Sequence, residues 1–166
     1  MAERVGDLEV AQDLGFQRRE WRVQRVAWVV LAAVLAAGLA GLLGSGPLAQ
    51  ASAEADGLSV RYDRILRDRA PIEVRFALAP GLAAGGEAEI WIDRALLDKA
   101  EIQRIVPEPE SERADGERVV FTIAVADPGA AAEVTFALEP HDAGGFAAGS
   151  GIVGGPRVDL SGFVLP

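Results

Sequence analysis

The chain has 166 residues, with 16 Lys or Arg, 25 Asp or Glu and a formal net charge of −9 at pH 7, and this acidic excess argues against nucleic acid as a partner. Half of the residues are nonetheless hydrophobic, so the apolar residues are concentrated in one part of the chain. The absence of cysteine and the single histidine, His141, exclude disulfides, a cysteine nucleophile and thiolate or multi-histidine metal sites, and the sequence predicts no metal and no cofactor.

The amino-terminal part of the chain predicts a disordered tail followed by a membrane helix. Residues 1–15 are predominantly acidic and lack apolar periodicity, which is typical of a solvated tail. From Val26 to Leu43, 18 consecutive residues carry no charge. As a helix this stretch is about 27 Å long, and residues 21–44 give about 36 Å, compared with about 30 Å for the hydrocarbon core of a bilayer. We therefore predict a juxtamembrane and transmembrane helix over residues 16–44.

The charges that flank this helix predict its orientation. Basic residues precede it with one acid, Glu20, among them, whereas the first charges after it are Glu54 and Asp56. The positive-inside rule therefore predicts a cytoplasmic amino terminus and places residues 45–166 outside. The residues expected at the membrane interface are basic or are tryptophans: Arg18, Arg19, Trp21, Arg22, Arg25 and Trp28.

The apolar stretch has other interpretations. A cleaved signal peptide would end in the small residues 49–51 and be cut after Ala51, but its apolar run exceeds the usual length of roughly 7 to 15 residues. A twin-arginine export signal at Arg18-Arg19 would need apolar residues where Glu20 and Arg22 stand. A buried helix of a soluble protein would leave too few other residues to cover it. We expect an uncleaved anchor.

Small residues recur every four positions along the predicted helix, at Ala32, Ala36, Ala40 and Gly44. Such a row lets two helix backbones approach closely, and it indicates a contact with a second copy or with another transmembrane helix. An alanine-rich helix also produces such rows by chance. The sequence leaves both interpretations open.

The rest of the chain predicts a β-rich domain. Residues 45–55, rich in Gly, Ser and Ala, indicate a flexible spacer, and over residues 56–166 the hydrophobic period changes from 3.6 to 2, as in Ile72–Leu78. One short helix is expected from Asp93 to Glu101. The predicted fold class is one transmembrane α-helix followed by an all-β antiparallel sandwich of the immunoglobulin-like kind, with about seven or eight strands.

Several segments follow one another in a recognisable order: the basic, aromatic run Phe16–Trp28, the Ala/Leu span, Gly46-Pro47, Leu58–Arg64 and Pro107–Ser111. From Phe16 onward the chain resembles a group of small proteobacterial single-pass inner-membrane proteins of unassigned activity. This resemblance implies a location in the bacterial inner membrane, with a cytoplasmic amino terminus and a β-rich periplasmic domain. It implies no catalytic residues.

Motifs that suggest chemistry have simpler structural interpretations. Gly149–Gly154 matches the spacing of a dinucleotide-binding loop, but Gly155-Pro156 follow where a helix has to begin, so we expect a flexible connection between strands. His141 lies in a polar turn, where its ring is solvated. Lys99, the only lysine, is expected at the surface.

Two charged clusters favour structural roles over ligand binding. Glu108, Glu110 and Glu112 alternate along the chain and would share one face of an extended backbone, and the prolines between them indicate protection of a sheet edge. Five arginines form a basic cluster that we expect to pair with the acids Asp63, Asp68 and Glu73: Arg61, Arg64, Arg67, Arg69 and Arg75. Contact of this cluster with lipid or a partner is the alternative.

We therefore expect a membrane-anchored periplasmic binding or assembly module without enzymatic activity, an accessory subunit of an envelope or membrane complex. Its partners would be the lipid bilayer and either another membrane or periplasmic protein or a second copy of the chain. The alternative is an envelope enzyme or sensor whose site is built from Asp, Glu, Ser and His141 on loops. A sandwich fold is compatible with both.

Overall fold

The computed structural model describes residues 14–39 and 49–166, with side chains from residue 21 onward except at residue 84. Its first unit is helix α1 (Leu14–Leu39). Within this helix the 19 residues Trp21–Leu39 have a mean hydropathy of 1.5, and none of this stretch is buried. By length and composition the helix is able to cross a membrane. Residues 40–44 of the predicted helix and residues 1–13 of the predicted tail lie outside the described residues.

The second unit is an all-β domain whose described residues form eleven strands. In chain order the strands are β1 (Gln50–Ala55), β2 (Leu58–Asp63), β3 (Ile65–Arg67), β4 (Ile72–Leu78), β5 (Glu87–Asp93), β6 (Ala100–Val106), β7 (Ser111–Asp115), β8 (Arg118–Ala124), β9 (Ala132–Pro140), β10 (Gly144–Ile152) and β11 (Arg157–Leu165). A 3-10 helix, Ala84–Gly86, precedes β5, and helix α2 (Arg94–Leu97) follows it.

The strands form two sheets. The first sheet has five strands in the order β1-β2-β4-β9-β6, and the second has six in the order β3-β11-β10-β5-β8-β7. The chain passes from one sheet to the other at Arg64, between β2 and β3. The backbone N–H of Arg64 donates to the carbonyl of Ala49 at 2.6 Å, and its carbonyl accepts a hydrogen bond from the N–H of Phe163 at 2.7 Å.

The inward-facing residues of the two sheets form one hydrophobic core. Phe76, Phe121 and Phe136 are almost completely buried at its centre. The rings of Phe76 and Phe121 lie 5.2 Å and 5.4 Å from that of Phe136, each in an edge-to-face arrangement that favours aromatic pairs. Phe163 lies outside this core and is 49% exposed, because in β11 it alternates with the inward-facing Val164.

This architecture confirms an all-β, two-sheet domain and corrects its details. The domain has more strands than the expected seven or eight, and it is not wholly antiparallel, because β3 pairs with β11 in parallel. The predicted spacer over 45–55 overlaps strand β1, which pairs with β2 along its whole length. Its composition of Gln, Ala, Ser and Glu lacks the large apolar residues that mark a strand in a sequence.

The helix expected from Asp93 to Glu101 is shorter than predicted. Helix α2 spans only Arg94–Leu97, and the amides of Asp98 and Lys99 close its last turn by donating to the carbonyls of Arg94 and Leu96. Strand β6 begins at Ala100, so Ala100 and Glu101, which were placed in the predicted helix, belong to the next strand. The turn at the end of α2 places Lys99 beside the loop that follows β9.

Candidate functional site

Helix α1 carries the residues predicted at the membrane interface. Trp21 and Trp28 are 58% and 63% exposed, and Arg22 and Arg25 are exposed as well. The guanidinium carbon of Arg25 lies 4.2 Å from the ring centroid of Trp21, one helical turn away, which is a cation–π contact. Such a pair presents an amphipathic surface of the kind that favours lipid headgroups. The predicted interface is thus assembled on one helix, and its contact with lipid stays a prediction.

The remaining predicted helix residues are only partly described. Arg18 and Arg19 lie within α1, but their side chains are outside the described part of the structure. Ala32 and Ala36 lie one turn apart on α1 and are both exposed, as a helix–helix contact requires. Ala40 and Gly44, the other two members of this row, lie outside the described residues.

Two of the five arginines in the predicted basic cluster, Arg61 and Arg75, line a cleft in the first sheet. Strands β2 and β4 pair only as far as Arg61 and Arg75. Beyond that point β2 follows β1 towards the second sheet while β4 continues along β9, so the two strands diverge. The gap between them is an open cleft of about 590 Å³ with mainly polar walls, which include Asp63 and Glu73.

Two arginines face each other across the floor of this cleft. Arg61 and Arg75 are directly opposite in the β2–β4 register, where like charges repel. Glu73 offsets this repulsion, because Nη2 of Arg75 donates to its Oε2 at 2.5 Å and Nε does so at 3.1 Å. This hydrogen bond is also the main reason why the pKa of Arg75 is raised. The expected pairing with neighbouring acids is found here and, more weakly, between Arg69 and Asp68 at 3.8 Å.

A second cluster, centred on Trp91, lies on the outer face of the second sheet. Trp91 is only 4% exposed although its strand position points away from the core. The guanidinium carbon of Arg118, from β8, lies 4.0 Å from its ring centroid, and that of Arg157, from β11, lies 5.7 Å away. Its indole N–H donates to the carbonyl of Ile152 at 3.3 Å. Three strands that are distant in sequence thus cover one tryptophan.

Asp93 connects this tryptophan cluster to the backbone of β10. Its carboxylate accepts a hydrogen bond from the N–H of Gly149 at 2.7 Å and lies 3.5 Å from Nε of Arg118. Asp93 immediately precedes helix α2, but its side chain makes no hydrogen bond to that helix. The carboxylate therefore orients the arginine that covers Trp91 and does not stabilise the helix terminus.

The glycine motif of residues 149–154 belongs to this cluster. Most of it lies in strand β10 and is buried, so the expected flexible connection is limited to the turn that follows Ile152. A Cβ atom on Gly149 would lie 2.7 Å from Asp93 and 2.9 Å from Arg157, and one on Gly151 would lie 2.3 Å from the carbonyl oxygen of Pro156. These glycines are required because neighbouring groups occupy the space of a side chain. The strand that follows leaves no helix for a dinucleotide to bind.

His141 and Lys99, the two residues weighed for catalysis, are brought together at one end of the domain. The N–H of His141 donates to the carbonyl of Lys99 at 3.0 Å, and the Lys99 ammonium donates to the carboxylate of Asp142. The hydrogen bond from Lys99 and its positive charge hold the pKa of Asp142 below its usual range, and His141 contributes in the same direction. His141 and Asp142 are exposed. The arrangement is a surface ion pair in which the lysine is engaged as a donor.

The acidic segment predicted to protect an edge connects two sheet edges. All three glutamates are exposed: Glu108 and Glu110 lie between β6 and β7, and Glu112 lies in β7. Strands β6 and β7 are edges of the first and second sheets respectively. The N–H of Glu110 donates to the carbonyl of Thr122 at 2.8 Å, which fixes the segment against β8. Among the described residues no group of three acidic or histidine side chains is arranged to hold a metal ion.

Comparisons with known proteins give no family. No protein-family model and no curated protein matches the chain. A cohesin module from a Clostridium perfringens family 33 glycoside hydrolase is 12% identical with a TM-score of 0.46, and the match covers 65% of this chain and 95% of that one. The cupredoxin domain of amoB from Nitrosocaldus yellowstonii is 17% identical with a TM-score of 0.26, with 58% and 55% covered. At these TM-scores neither structure bears on what the chain does.

Proposed function

We propose that the chain is a membrane-anchored periplasmic binding or assembly module, an accessory subunit of an envelope or membrane complex in the bacterial inner membrane. The observation that carries this proposal is the exposure of the apolar helix. Leu35 and Leu39, for example, are 59% and 85% exposed. A helix with apolar side chains on all faces requires an apolar environment, and a single span of this length obtains it from lipid.

The structure around Ala49 supports an uncleaved anchor. Cleavage after Ala51 would remove Ala49, which is completely buried and whose carbonyl accepts the hydrogen bond from Arg64. It would also remove the first two residues of β1, which pair with Tyr62 and Asp63. A mature chain that began at residue 52 would lose these contacts. Retention of residues 49–51 keeps the domain intact and keeps it connected to the helix.

The β domain has the features of a binding module. We interpret it as an immunoglobulin-like sandwich that presents faces and edges to a partner. Several of its ionisable surface residues form ordinary pairs, such as Lys99 with Asp142 and Arg157 with Asp159. The cleft between β2 and β4 is open and polar rather than enclosed. These features favour recognition of a macromolecule over an enzymatic site, which ordinarily lies in a concave, largely apolar pocket.

Three measurements on membranes and spheroplasts test this proposal. The full chain is expected to stay in the membrane pellet after carbonate extraction, and a carboxy-terminal tag is expected to be digested when protease is added to spheroplasts. Mild detergent extraction is then expected to recover the chain with a partner or as an oligomer. Release by carbonate, or a protected tag, would contradict the anchor and its orientation.

A further inference from the structure

The four sheet edges of the described domain differ in how well they are protected against pairing. In the second sheet, β3 has only three residues, and all five residues of β7 are exposed, three of them charged. In the first sheet, β6 contains a register shift between Ile102 and Arg104. Short strands, charges and bulges are the usual means of preventing edge pairing. Strand β1 has six residues, no irregularity in its pairing and one charge, Glu54.

The hydrogen-bond pattern of β1 leaves three residues available for a partner strand. Ala49 is bonded to Arg64, and in an antiparallel pair every second residue takes part in such bonds. The N–H and C=O groups of Gln50, Ser52 and Glu54 therefore point away from β2. These three side chains are exposed on the outer face of the sheet. Strand β1 thus offers a regular row of backbone donors and acceptors.

We propose that β1 pairs with β1 of a second copy of the chain, antiparallel and about a two-fold axis through Ser52. This proposal rests on the proposed function, because the membrane anchor brings the copies together. With Ser52 opposite itself, Gln50 lies opposite Glu54 of the other copy. The three residues whose backbone groups point away from β2 then each face one of the same three residues in the other copy, and the three resulting pairs form six hydrogen bonds between the copies. The two five-stranded sheets become one continuous sheet.

The side chains of β1 are complementary in this register. On the outer face the carboxylate of Glu54 lies beside the amide of Gln50 from the other copy, which donates a hydrogen bond. On the inner face Ala51 lies opposite Ala53 in a pair without backbone hydrogen bonds, where the strands approach most closely and small side chains fit best. A shift that placed Glu54 opposite itself would bring two carboxylates together and lose backbone pairs. Strand β1 is therefore self-complementary in a single register.

The connection to the helix is long enough for this arrangement. Because Gln50 of one copy lies opposite Glu54 of the other, the two Gln50 residues are four positions apart, which is about 14 Å along the strand direction. Eleven Cα–Cα steps separate Leu39 from Gln50, and they span at most about 36 to 40 Å. Both chains are therefore able to return to helices in the same membrane. Confinement there raises the effective concentration of one edge for the other, which a short strand pair requires for stability.

Cysteine crosslinking of the full chain in native membranes tests the register, because the natural sequence contains no cysteine. Ser52→Cys is expected to give a disulfide-linked dimer under mild oxidation, since Cα atoms in a hydrogen-bonded pair are about 5.5 Å apart. Glu54→Cys alone is expected to give about tenfold less, because equivalent residues are then too distant. Glu54→Cys mixed with Gln50→Cys is expected to restore the dimer. Arg113→Cys, on β7, is the matched edge control.

A second variant tests the same pairing without cysteines. Ser52→Pro removes an N–H that points away from β2, so the β1–β2 pairing keeps all its bonds while the pair between copies loses two. Energy transfer between fluorescently tagged copies in the membrane is expected to report about tenfold weaker association than for Ser52→Ala. Equal association of the two variants, or equal crosslinking of Ser52→Cys and Arg113→Cys, would overturn the proposal.

The two proposals fail separately in these experiments. Carbonate extraction of the same oxidised membranes reports anchoring alone. A chain that stays in the pellet without a Ser52→Cys dimer overturns the pairing and leaves the anchor intact. A chain that is released overturns the anchor, and the amount of Ser52→Cys dimer in the released fraction still decides whether β1 pairs with itself.

Discussion

Helix α1 and the β domain contain the same apolar residue types with opposite exposures. Val34 and Leu35 in the helix are 54% and 59% exposed, whereas Val60 and Leu138 in the sandwich are completely buried. A sheet buries one face by packing against a second sheet, and the domain has both sheets in one chain. A single helix has no such internal partner. The domain therefore buries its apolar residues in its own core, whereas none of the stretch Trp21–Leu39 is buried.

Removal of an aromatic ring from the core is expected to have the largest effect. Phe136→Ala is expected to lower the free energy of unfolding of the domain by about 3 to 5 kcal/mol, because Phe136 is buried and packs against two other rings. Urea denaturation of the detergent-solubilised chain, followed by near-ultraviolet circular dichroism, measures the change. Membrane association is expected to be unaffected. Phe163→Ala, at a half-exposed position, is the control, and an equal loss there would contradict the assignment of the core.

The reciprocal change places a charge in the helix. Leu35→Arg is expected to cost about 3 kcal/mol of membrane insertion, since arginine near the centre of a span is unfavourable by about 2.5 to 3.5 kcal/mol and leucine is slightly favourable. Carbonate extraction measures the released fraction, and Leu35→Ala is the matched control. The urea midpoint of the domain is expected to stay at its original value. A variant that stays fully in the pellet would show that this stretch is not the anchor.

A smaller effect is expected where the sandwich approaches its own backbone. Gly151→Ala places a Cβ 2.3 Å from the carbonyl oxygen of Pro156, so the strands have to separate locally. Strain of this kind costs about 1 to 3 kcal/mol and is read from the urea midpoint. Gly145→Ala on the same strand is the control, because its nearest neighbours would be 3.9 Å away. Equal midpoints for the two variants would contradict the close approach.

The smallest effect concerns the exposed pair of Lys99 and Asp142. Because Lys99 lowers the pKa of Asp142, the carboxylate contributes stability above its ordinary pKa, and that contribution is lost as the pH falls through the lowered value. An NMR titration of the Asp142 carboxyl is expected to give a value below the usual range. Lys99→Met is expected to return it towards that range. Arg94→Met, in the neighbouring turn, is expected to leave it unchanged, and the opposite result would refute the pairing.

The elements that the sequence predicted well are those with strong alternation of large apolar residues. Strand β4 coincides with the pattern read from Ile72–Leu78, because inward and outward positions differ there in residue type. Strands β1 and β7 were missed because β1 lacks large apolar residues and β7 is exposed on both faces. Edge strands bury little surface, so hydrophobic periodicity does not mark them.

The sequence predicted the interface residues on α1 but not the tryptophan cluster, because only the former are close together in the sequence. The interface residues on α1 are local in sequence, so a helical projection is sufficient to group them. The tryptophan cluster combines Trp91, Arg118 and Arg157 from three strands, and sequence reasoning had no means of bringing these together. Its one local indication was the pair Gly149 and Gly151, whose missing side chains make room for Asp93, Arg157 and the neighbouring backbone.

The crossing at Arg64 links the two sheets by backbone hydrogen bonds. Its N–H is held beside the first sheet through Ala49, and its carbonyl is held by Phe163 of the second. The hydroxyl of Tyr62 accepts a further hydrogen bond from the N–H of Ser161 at 3.2 Å. The two sheets therefore cannot separate without breaking these hydrogen bonds. The amide protons of residues 64, 161 and 163 are expected to exchange with solvent only when the whole domain unfolds.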